Sequence, residues 1–182
     1  MKINIFSENI HPETVVDEKK AISVAKKILR HHLKCENIFE DSCLKGHDFN
    51  CISFDILYCD NEKTLDINKE YRQKDYPADI ITFAIFADSE ENFIFDGEIN
   101  LGEIIISLDK VSQNATEKAT SIEAELYFLI SHGIMHLLGF DHQTIEEYNF
   151  IIEAQASALK KIRDIKCRNS KLLALPERTE TH

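Results

Sequence analysis

Three histidines, His132, His136 and His142, fall within eleven residues near the end of a strongly apolar segment. Helical residues four positions apart lie on one face, so His132 and His136 can point at the same ion. Gly139 can then take the positive φ that ends a helix, which turns the chain back and brings His142 to the same place. The spacing therefore predicts a metal site with three nitrogen ligands and an open coordination position, as in a catalytic zinc.

A purely structural role is the alternative for these histidines. A single histidine on an apolar helix face is usually a core residue, and a pair four residues apart is a weak signal by itself. Three together are harder to explain in this way, because each buried ring nitrogen would need a partner. We therefore interpret the group as a site for one Zn²⁺ ion, although imidazole ligands also accept other transition metals.

Length and composition predict one soluble domain. The 182 residues are 43% hydrophobic, which suits a single sizeable core. No apolar run approaches the roughly 20 residues that span a bilayer, and the N-terminus is too short and too soon acidic for a signal peptide. Five cysteines without a CxxC pair indicate free thiols in a reducing compartment. We expect a cytoplasmic protein without a membrane partner, with one domain over 1–165 and a polar C-terminal tail over 166–182 whose flexibility is left open.

Hydrophobic periodicity predicts the elements of the first two-thirds of the chain. The predicted strands lie around Ile3–Phe6 and at Cys51–Tyr58, Asp79–Phe86 and Glu98–Ser107. Helices are predicted within Pro12–Lys34 and from a cap at Asn61 to about Tyr71. Two further segments, Asp88–Asn92 and Asp109–Ala119, are predicted to be surface loops.

Two helices are predicted to close the domain. Thr120 and Glu123 have the spacing of a capping box, and the helix that they begin runs to Leu138. Thr144 and Glu147 have the same spacing at the start of the second helix. Because strands mostly precede these helices, the pattern predicts an α+β fold with a small mixed or antiparallel sheet and helices packed on it.

Three sequence blocks resemble the YbeY family, whose members are rRNA maturation factors described as single-strand-specific, metal-dependent endoribonucleases. The most specific block is HGIMHLLGFDH, and the others are YRQKDYPADIITF from Tyr71 and LGEIIIS from Leu101. Their order and spacing also match, so the resemblance covers the centre of the chain from about Tyr71 to His142. It implies a zincin-like fold, here a single metallohydrolase domain with its metal site at the end of a late helix.

The residue after His132 distinguishes this pattern from that of common zinc peptidases. An HExxH motif supplies a glutamate that activates water, whereas this chain has Gly133 at that position. A hydrolase for peptides or small molecules is therefore a disfavoured alternative. A zinc ion with an open position lowers the pKa of bound water to about 7, so the nucleophile does not require that glutamate.

Arg72 is the candidate catalytic residue. A guanidinium can bind phosphate through two parallel hydrogen bonds and stays charged at any working pH. The sequence alone favours an ordinary arginine paired with Asp75 or Glu70. The resemblance favours catalysis instead, because Arg72 matches the arginine implicated in the family's activity. Lys74 is a weaker candidate for the rim of a phosphate site.

Two carboxylates near the histidines have open roles. Asp141 either orients a histidine ring or caps the turn after Gly139. Glu125 lies seven residues before His132, on nearly the same helical face, where either proton transfer or interaction with the helix dipole is possible. Neither is assigned as a catalytic base.

The net charge of −11, from 21 Lys and Arg against 32 Asp and Glu, does not predict long-range attraction to RNA. A local basic patch could supply it, and two clusters are available. They are Lys19, Lys20, Lys26, Lys27, Arg30 and Lys34 in the first helix, and Lys160, Lys161, Arg163, Lys166, Arg168 and Lys171 near the C-terminus. Alternatively, as the resemblance implies, the small ribosomal subunit or an assembly factor brings the protein to its RNA.

The resemblance leads to a specific hypothesis, a zinc-dependent single-strand endoribonuclease that acts in 16S rRNA 3′-end maturation and ribosome quality control. Single-stranded RNA is then the expected partner, and DNA is not. The alternative is a ribosome-assembly factor with a structural metal and weak or no nuclease activity.

Overall fold

Ten helices and strands are found in the part of the chain that the structure, a computed structural model, describes: residues 1–91 and 93–167, with side chains as far as Ile162. In chain order they are β1 (Lys2–Asn9), α1 (Glu18–His32), α2 (Glu36–Asp41), β2 (Cys51–Cys59), α3 (Asn61–Arg72), β3 (Ile80–Phe83), β4 (Glu98–Ser107), α4 (Leu108–Glu117), α5 (Ile122–Leu137) and α6 (Ile145–Cys167).

The four strands form one mixed sheet in the order β1-β2-β4-β3. Strands β1, β2 and β4 run parallel, and β3 pairs antiparallel with β4. The parallel pairs require crossovers, which α1 and α2 supply between β1 and β2, and which α3 and β3 supply between β2 and β4. The prediction of a small mixed sheet packed with helices is confirmed.

Alternate residues of β4 pack on opposite faces of the sheet. Ile104 and Ile106 join the main core together with α5 residues such as Ile130. Ile105 joins a smaller cluster with Ile67 of α3 on the other face. The sheet is therefore buried on both sides, which explains why its strands are rich in isoleucine rather than cleanly alternating. Helix α5, which carries two of the three histidines, is held directly against β3 and β4.

Two predicted elements are wrong in the structure. The expected loop at Asp109–Ala119 is mostly the helix α4, whose buried stripe of Leu108, Val111 and Ala115 has helical spacing among polar residues. The strand predicted to extend to Phe86 ends at Phe83. Strand β4 has a β-bulge, because it carries one more residue than β2 between the positions paired with Ser53 and Asp55. Such a bulge bends the strand that carries it, and here it lies where the pairing of β3 with β4 ends.

The helix starts show which side chains act as caps. Asp60, not Asn61, caps α3 by accepting a hydrogen bond from the Lys63 backbone. Ser121, not Thr120, caps α5. The capping box of α6 is as predicted, because the Thr144 hydroxyl accepts from Glu147 N at 3.2 Å and the Glu147 carboxylate accepts from Thr144 N at 2.9 Å.

The first and last helices also differ in extent from the predictions. Helix α1 begins only at Glu18, with Asp17 as its cap, and the short helix α2 was not predicted. Helix α6 continues to Cys167, and the rest of the predicted tail, 168–182, lies outside the described residues, as does Asn92 of the predicted loop.

Four cysteines, Cys35, Cys43, Cys51 and Cys59, are free thiols, as expected. Within the described ranges, no helix has both the length and the apolar character that crossing a bilayer requires.

Candidate metal centre and the cleft around it

The end of α5 brings the three histidines together by a defined helix cap. Gly139 has a φ of +93°, as predicted, and its N–H donates to His136 O at 2.9 Å. The N–H of Phe140 reaches back to Met135 O at 3.1 Å, so the two bonds form a Schellman motif. The chain reverses at this cap, and His142 returns to the histidines of α5.

The ring nitrogens of His132, His136 and His142 lie within 4.8 Å of one another. The Nε2 atoms of His132 and His136 are 3.0 Å apart, and the ring of His142 lies 5.3–5.4 Å from both of the others, between centroids. Three imidazoles converging in this way fit a borderline transition-metal cation such as Zn²⁺, which takes three protein ligands in sites that keep a position open.

Gln155 of α6 fixes the orientation of the His132 ring. Its side-chain nitrogen donates to Phe128 O at 3.1 Å, so its oxygen, 3.2 Å from His132 Nδ1, accepts a hydrogen bond from the ring N–H. His132 Nε2 is then unprotonated and faces the other histidines. Gln155 was not among the candidate site residues predicted from the sequence. The signal that could have identified it is a glutamine at helical spacing with the apolar residues Ile151, Ala158 and Ile162.

Burial keeps the histidines of α5 neutral. It lowers the pKa of His132, and it lowers the pKa of His136 to about 4, with the neighbouring histidines contributing in the same direction. Neutral imidazole is the form that binds a cation. At neutral pH both rings can therefore act as ligands without first releasing a proton.

Gly133 faces the sheet rather than the cleft. A Cβ at this position would lie 2.8–3.0 Å from the side-chain carbons of Ile104, closer than packed carbons approach. The glutamate of an HExxH motif would therefore collide with the core. Gly133 permits close contact between α5 and β4, and this position cannot supply a general base.

The histidines line an open cleft of about 740 Å³ together with Arg72 and Lys74. Arg72 ends α3, and Gln73 has a φ of +55°, so the chain turns sharply and both cations reach the same cleft. Arg72 is exposed and forms no ion pair with any described carboxylate; Asp75, one expected partner, binds Lys69 instead at 2.9 Å. The structure thus places all four candidate site residues around one cleft.

The two carboxylates with open roles have different surroundings. Asp141 lines the cleft, and its Oδ1 accepts from the His142 backbone at 2.8 Å, a bond that lowers the pKa of the carboxyl. This geometry matches the turn-capping role. Glu125 is buried and accepts from Lys118 Nζ at 2.7 Å, and it is not among the residues that line the cleft.

The two basic clusters lie away from the cleft. None of their described members contributes to its lining, and Lys20 pairs with Glu123 at 2.8 Å. Helices α1 and α6 pack together, and His31 of α1 lies 3.0 Å from the Ser157 hydroxyl of α6. Burial lowers the pKa of His31, and the positive charge of Lys161 lowers it further. Arg168 and Lys171 lie outside the described residues, as do the side chains of Arg163 and Lys166.

Fold and site together define a mixed α/β protein with a candidate three-histidine metal centre in an open cleft. The sequence model described as Endoribonuclease YbeY matches residues 6–163, so the chain belongs to the YbeY family. A relative named Endoribonuclease YbeY from Malacoplasma penetrans is 39% identical over 156 residues, which cover 86% of this chain and 94% of the relative. Another of that name, from Acetivibrio thermocellus, is 34% identical over 170 residues, or 88% and 97% of the two chains.

The solution structure of a protein from Thermotoga maritima has a similar fold. The TM-score is 0.54 at 22% identity, over 92% of this chain and 96% of that one. The predicted family is thus confirmed, and with it the class of enzyme, endoribonuclease, that the family description names.

Proposed function

We propose that this protein is a zinc-dependent, single-strand-specific endoribonuclease that acts in 16S rRNA 3′-end maturation and ribosome quality control. The observation that carries the proposal is that Arg72 lines the same cleft as His132, His136 and His142. A group suited to binding phosphate thus lies beside a candidate metal centre, although the two are 60 residues apart in sequence.

In this proposal His132, His136 and His142 hold one ion. When bound, zinc supplies a Lewis acid and activates water at neutral pH. Arg72 binds the scissile phosphate through two hydrogen bonds and stabilises the charge that accumulates on its oxygens. Lys74 adds a second positive charge at the same rim. Because Arg72 is not paired with a described carboxylate, its guanidinium is free to bind phosphate without first breaking an ion pair.

The proposal includes a zincin-like arrangement within one domain at residues 1–165, and a cytoplasmic protein that works with the small ribosomal subunit or an assembly factor. A partner of this kind would compensate for the net charge of −11, which disfavours long-range attraction to free RNA. DNA is not an expected substrate.

A second candidate function is that of a ribosome-assembly factor whose metal is structural and whose nuclease activity is weak or absent. The observation that favours it is the presence of Asp41, Asp88 and Asp141 in the lining of the cleft. Carboxylates repel an RNA backbone, so the cleft is less favourable for RNA than the position of Arg72 alone indicates.

The test is cleavage of a defined rRNA precursor by purified protein, with zinc quantified before and after chelation. We expect one ion per chain, cutting of single-stranded but not duplex segments, loss of activity on chelation and recovery when zinc is restored. In His136→Ala the ion should be lost, whereas the matched control His47→Ala should retain it. Protein that binds small subunits with its metal in place but cuts no RNA would instead favour the assembly factor.

A further inference from the structure

A second, smaller cleft of about 310 Å³ adjoins the first, and Arg72, Lys74 and Ile80 line both. Its volume falls at the lower end of the range for small-ligand sites, roughly 300–1,000 Å³. Arg72 lies where the two clefts meet. An RNA strand whose scissile phosphate contacts Arg72 therefore extends from the histidine cleft into the second cleft. The two clefts are therefore continuous at Arg72, Lys74 and Ile80.

Positive charge is concentrated in the second cleft. Among the described residues, three cations, Arg72, Lys74 and Lys110, and one carboxylate, that of Asp79, line it. Lys110 Nζ donates to Gln113 Oε1 at 3.1 Å, and neither lysine pairs with a described carboxylate. Asp79 is engaged at both oxygens, accepting from Ile80 N at 2.8 Å and from Asn114 Nδ2 at 3.3 Å. In a chain with a net charge of −11, this local excess of cations fits an anionic ligand.

An aromatic side chain forms part of the same cleft. Tyr76 is 54% exposed, and Lys74 lies over its ring at 5.8 Å from the centroid. The Tyr76 backbone is tied to α3, because buried Asn68 donates its side-chain N–H to Tyr76 O at 2.8 Å. Tyrosine beside cations is the combination by which proteins hold single-stranded nucleic acid, with the base stacked on the ring and the phosphate bound by lysine.

We propose that this second cleft is a nucleotide subsite for single-stranded RNA, in which Lys110 and Lys74 bind the phosphate next to the scissile one and Tyr76 stacks on the base. The subsite rests on the proposed endoribonuclease function, since it extends the path from the same metal centre. Tyr76 and Lys110 act in binding and make no contact with the reacting atoms. Single-strand preference follows, because a base that stacks on Tyr76 must be unpaired.

The test compares zinc-loaded Tyr76→Ala and Lys110→Ala proteins with wild type and with Lys63→Ala, which removes an exposed lysine of α3 that lines neither cleft and belongs to neither basic cluster. Binding is measured by fluorescence anisotropy with a labelled phosphorothioate single-stranded RNA, and cleavage is measured with the unmodified strand. We expect Tyr76→Ala to weaken binding about tenfold and to raise KM similarly, with kcat within about twofold. In Lys110→Ala, the slope of log affinity against log salt should become shallower by about 0.7, the effect of one lost phosphate contact.

The outcomes separate the subsite from the proposed function. Wild-type protein that cuts RNA, with binding and KM in both variants equal to those of Lys63→Ala, overturns the subsite and leaves the nuclease intact. Wild-type protein that cuts no RNA but binds single strands through Tyr76 and Lys110 overturns the nuclease and supports the subsite. A fall in kcat without a change in binding also contradicts the subsite, because it would place these side chains in the chemical step.

Discussion

Gln155 Oε1 lies 3.2 Å from His132 Nδ1, and this contact links the last helix of the domain to the candidate metal centre. Metal-bound histidines commonly donate their other N–H to such an acceptor, which fixes both the tautomer and the direction of the ring. Gln155 is fully buried and is itself held by Phe128 O, so the contact has little freedom to rearrange.

Replacing Gln155 with leucine should weaken zinc binding about 10- to 100-fold, because the His132 ring loses the acceptor that sets its tautomer. Competition with a chromogenic chelator measures the change. Gln155→Glu keeps an acceptor and should retain wild-type affinity. Gln143→Leu is the matched control, since Gln143 is exposed and its side chain bonds Asp141 rather than a ring. Equal affinity in Gln155→Leu and Gln143→Leu would show that Gln155 does not position the ligand.

Gly133→Ala should destabilise the fold by about 1–2 kcal/mol. The added methyl group would lie 2.8 Å from Ile104 Cδ1, and overpacking of this kind costs about 1–3 kcal/mol, offset in part by the better helix propensity of alanine. Urea unfolding followed by circular dichroism measures the effect. Trimming the neighbour in the double variant Gly133→Ala/Ile104→Val should recover part of the loss. Losses that simply add in the double variant would mean that the two side chains do not collide.

Acid should destabilise the protein through His32. This side chain is fully buried, neither ring nitrogen has a hydrogen-bond partner among the described residues, and burial lowers its pKa to about 4. Unfolded histidine titrates near pH 6.5, so between these values the unfolded state binds a proton that the folded state does not. Folding is thus favoured fully above pH 6.5 and progressively less as the pH falls towards 4.

Protonation linked to His32 should lower the free energy of unfolding by about 2 kcal/mol when the pH falls from 7.5 to 5. Urea unfolding of wild type and His32→Leu at both values measures it, with chelator present throughout so that metal release does not contribute. The leucine variant should lose less stability on acidification. Parallel losses in the two proteins would exclude His32 as the source.

Local geometry accounts for what could be predicted from the sequence. Histidines four residues apart share a helix face wherever the helix forms, and a glycine after the last turn allows the chain to reverse. The Gly139 cap and the approach of His142 follow from these rules alone. The same rules identified the capping box of α6, because its two partners are three residues apart.

Long-range packing accounts for what could not be predicted. Gln155 meets His132 only because α6 packs against α5, and a sequence of one chain does not reveal which polar residue of α6 faces a ring. From the sequence, Gly133 showed only that the catalytic glutamate of an HExxH motif is missing. The structure adds that Ile104 of the sheet leaves no room for a side chain at this position. Helix α4 was missed because its apolar stripe has only three buried residues among polar ones.

The position of Arg72 was the hardest feature to predict. Its ordinary explanation was an ion pair with a neighbouring acid, and local spacing gave no reason to reject it. The turn at Gln73, where a residue other than glycine has a positive φ, directs Arg72 and Lys74 into the histidine cleft. Backbone strain of this kind is costly and persists where the surrounding structure holds it.

The most direct test of the central claim is the rate of single-stranded RNA cleavage by Arg72→Ala, measured on protein whose zinc content has been determined. We expect zinc to remain near one ion per chain and kcat/KM to fall at least 100-fold, with only partial recovery in Arg72→Lys because lysine lacks the two-pronged contact with phosphate. Zinc-loaded Arg72→Ala that cleaves RNA at the wild-type rate would contradict the claim that Arg72 and the three histidines form one catalytic site.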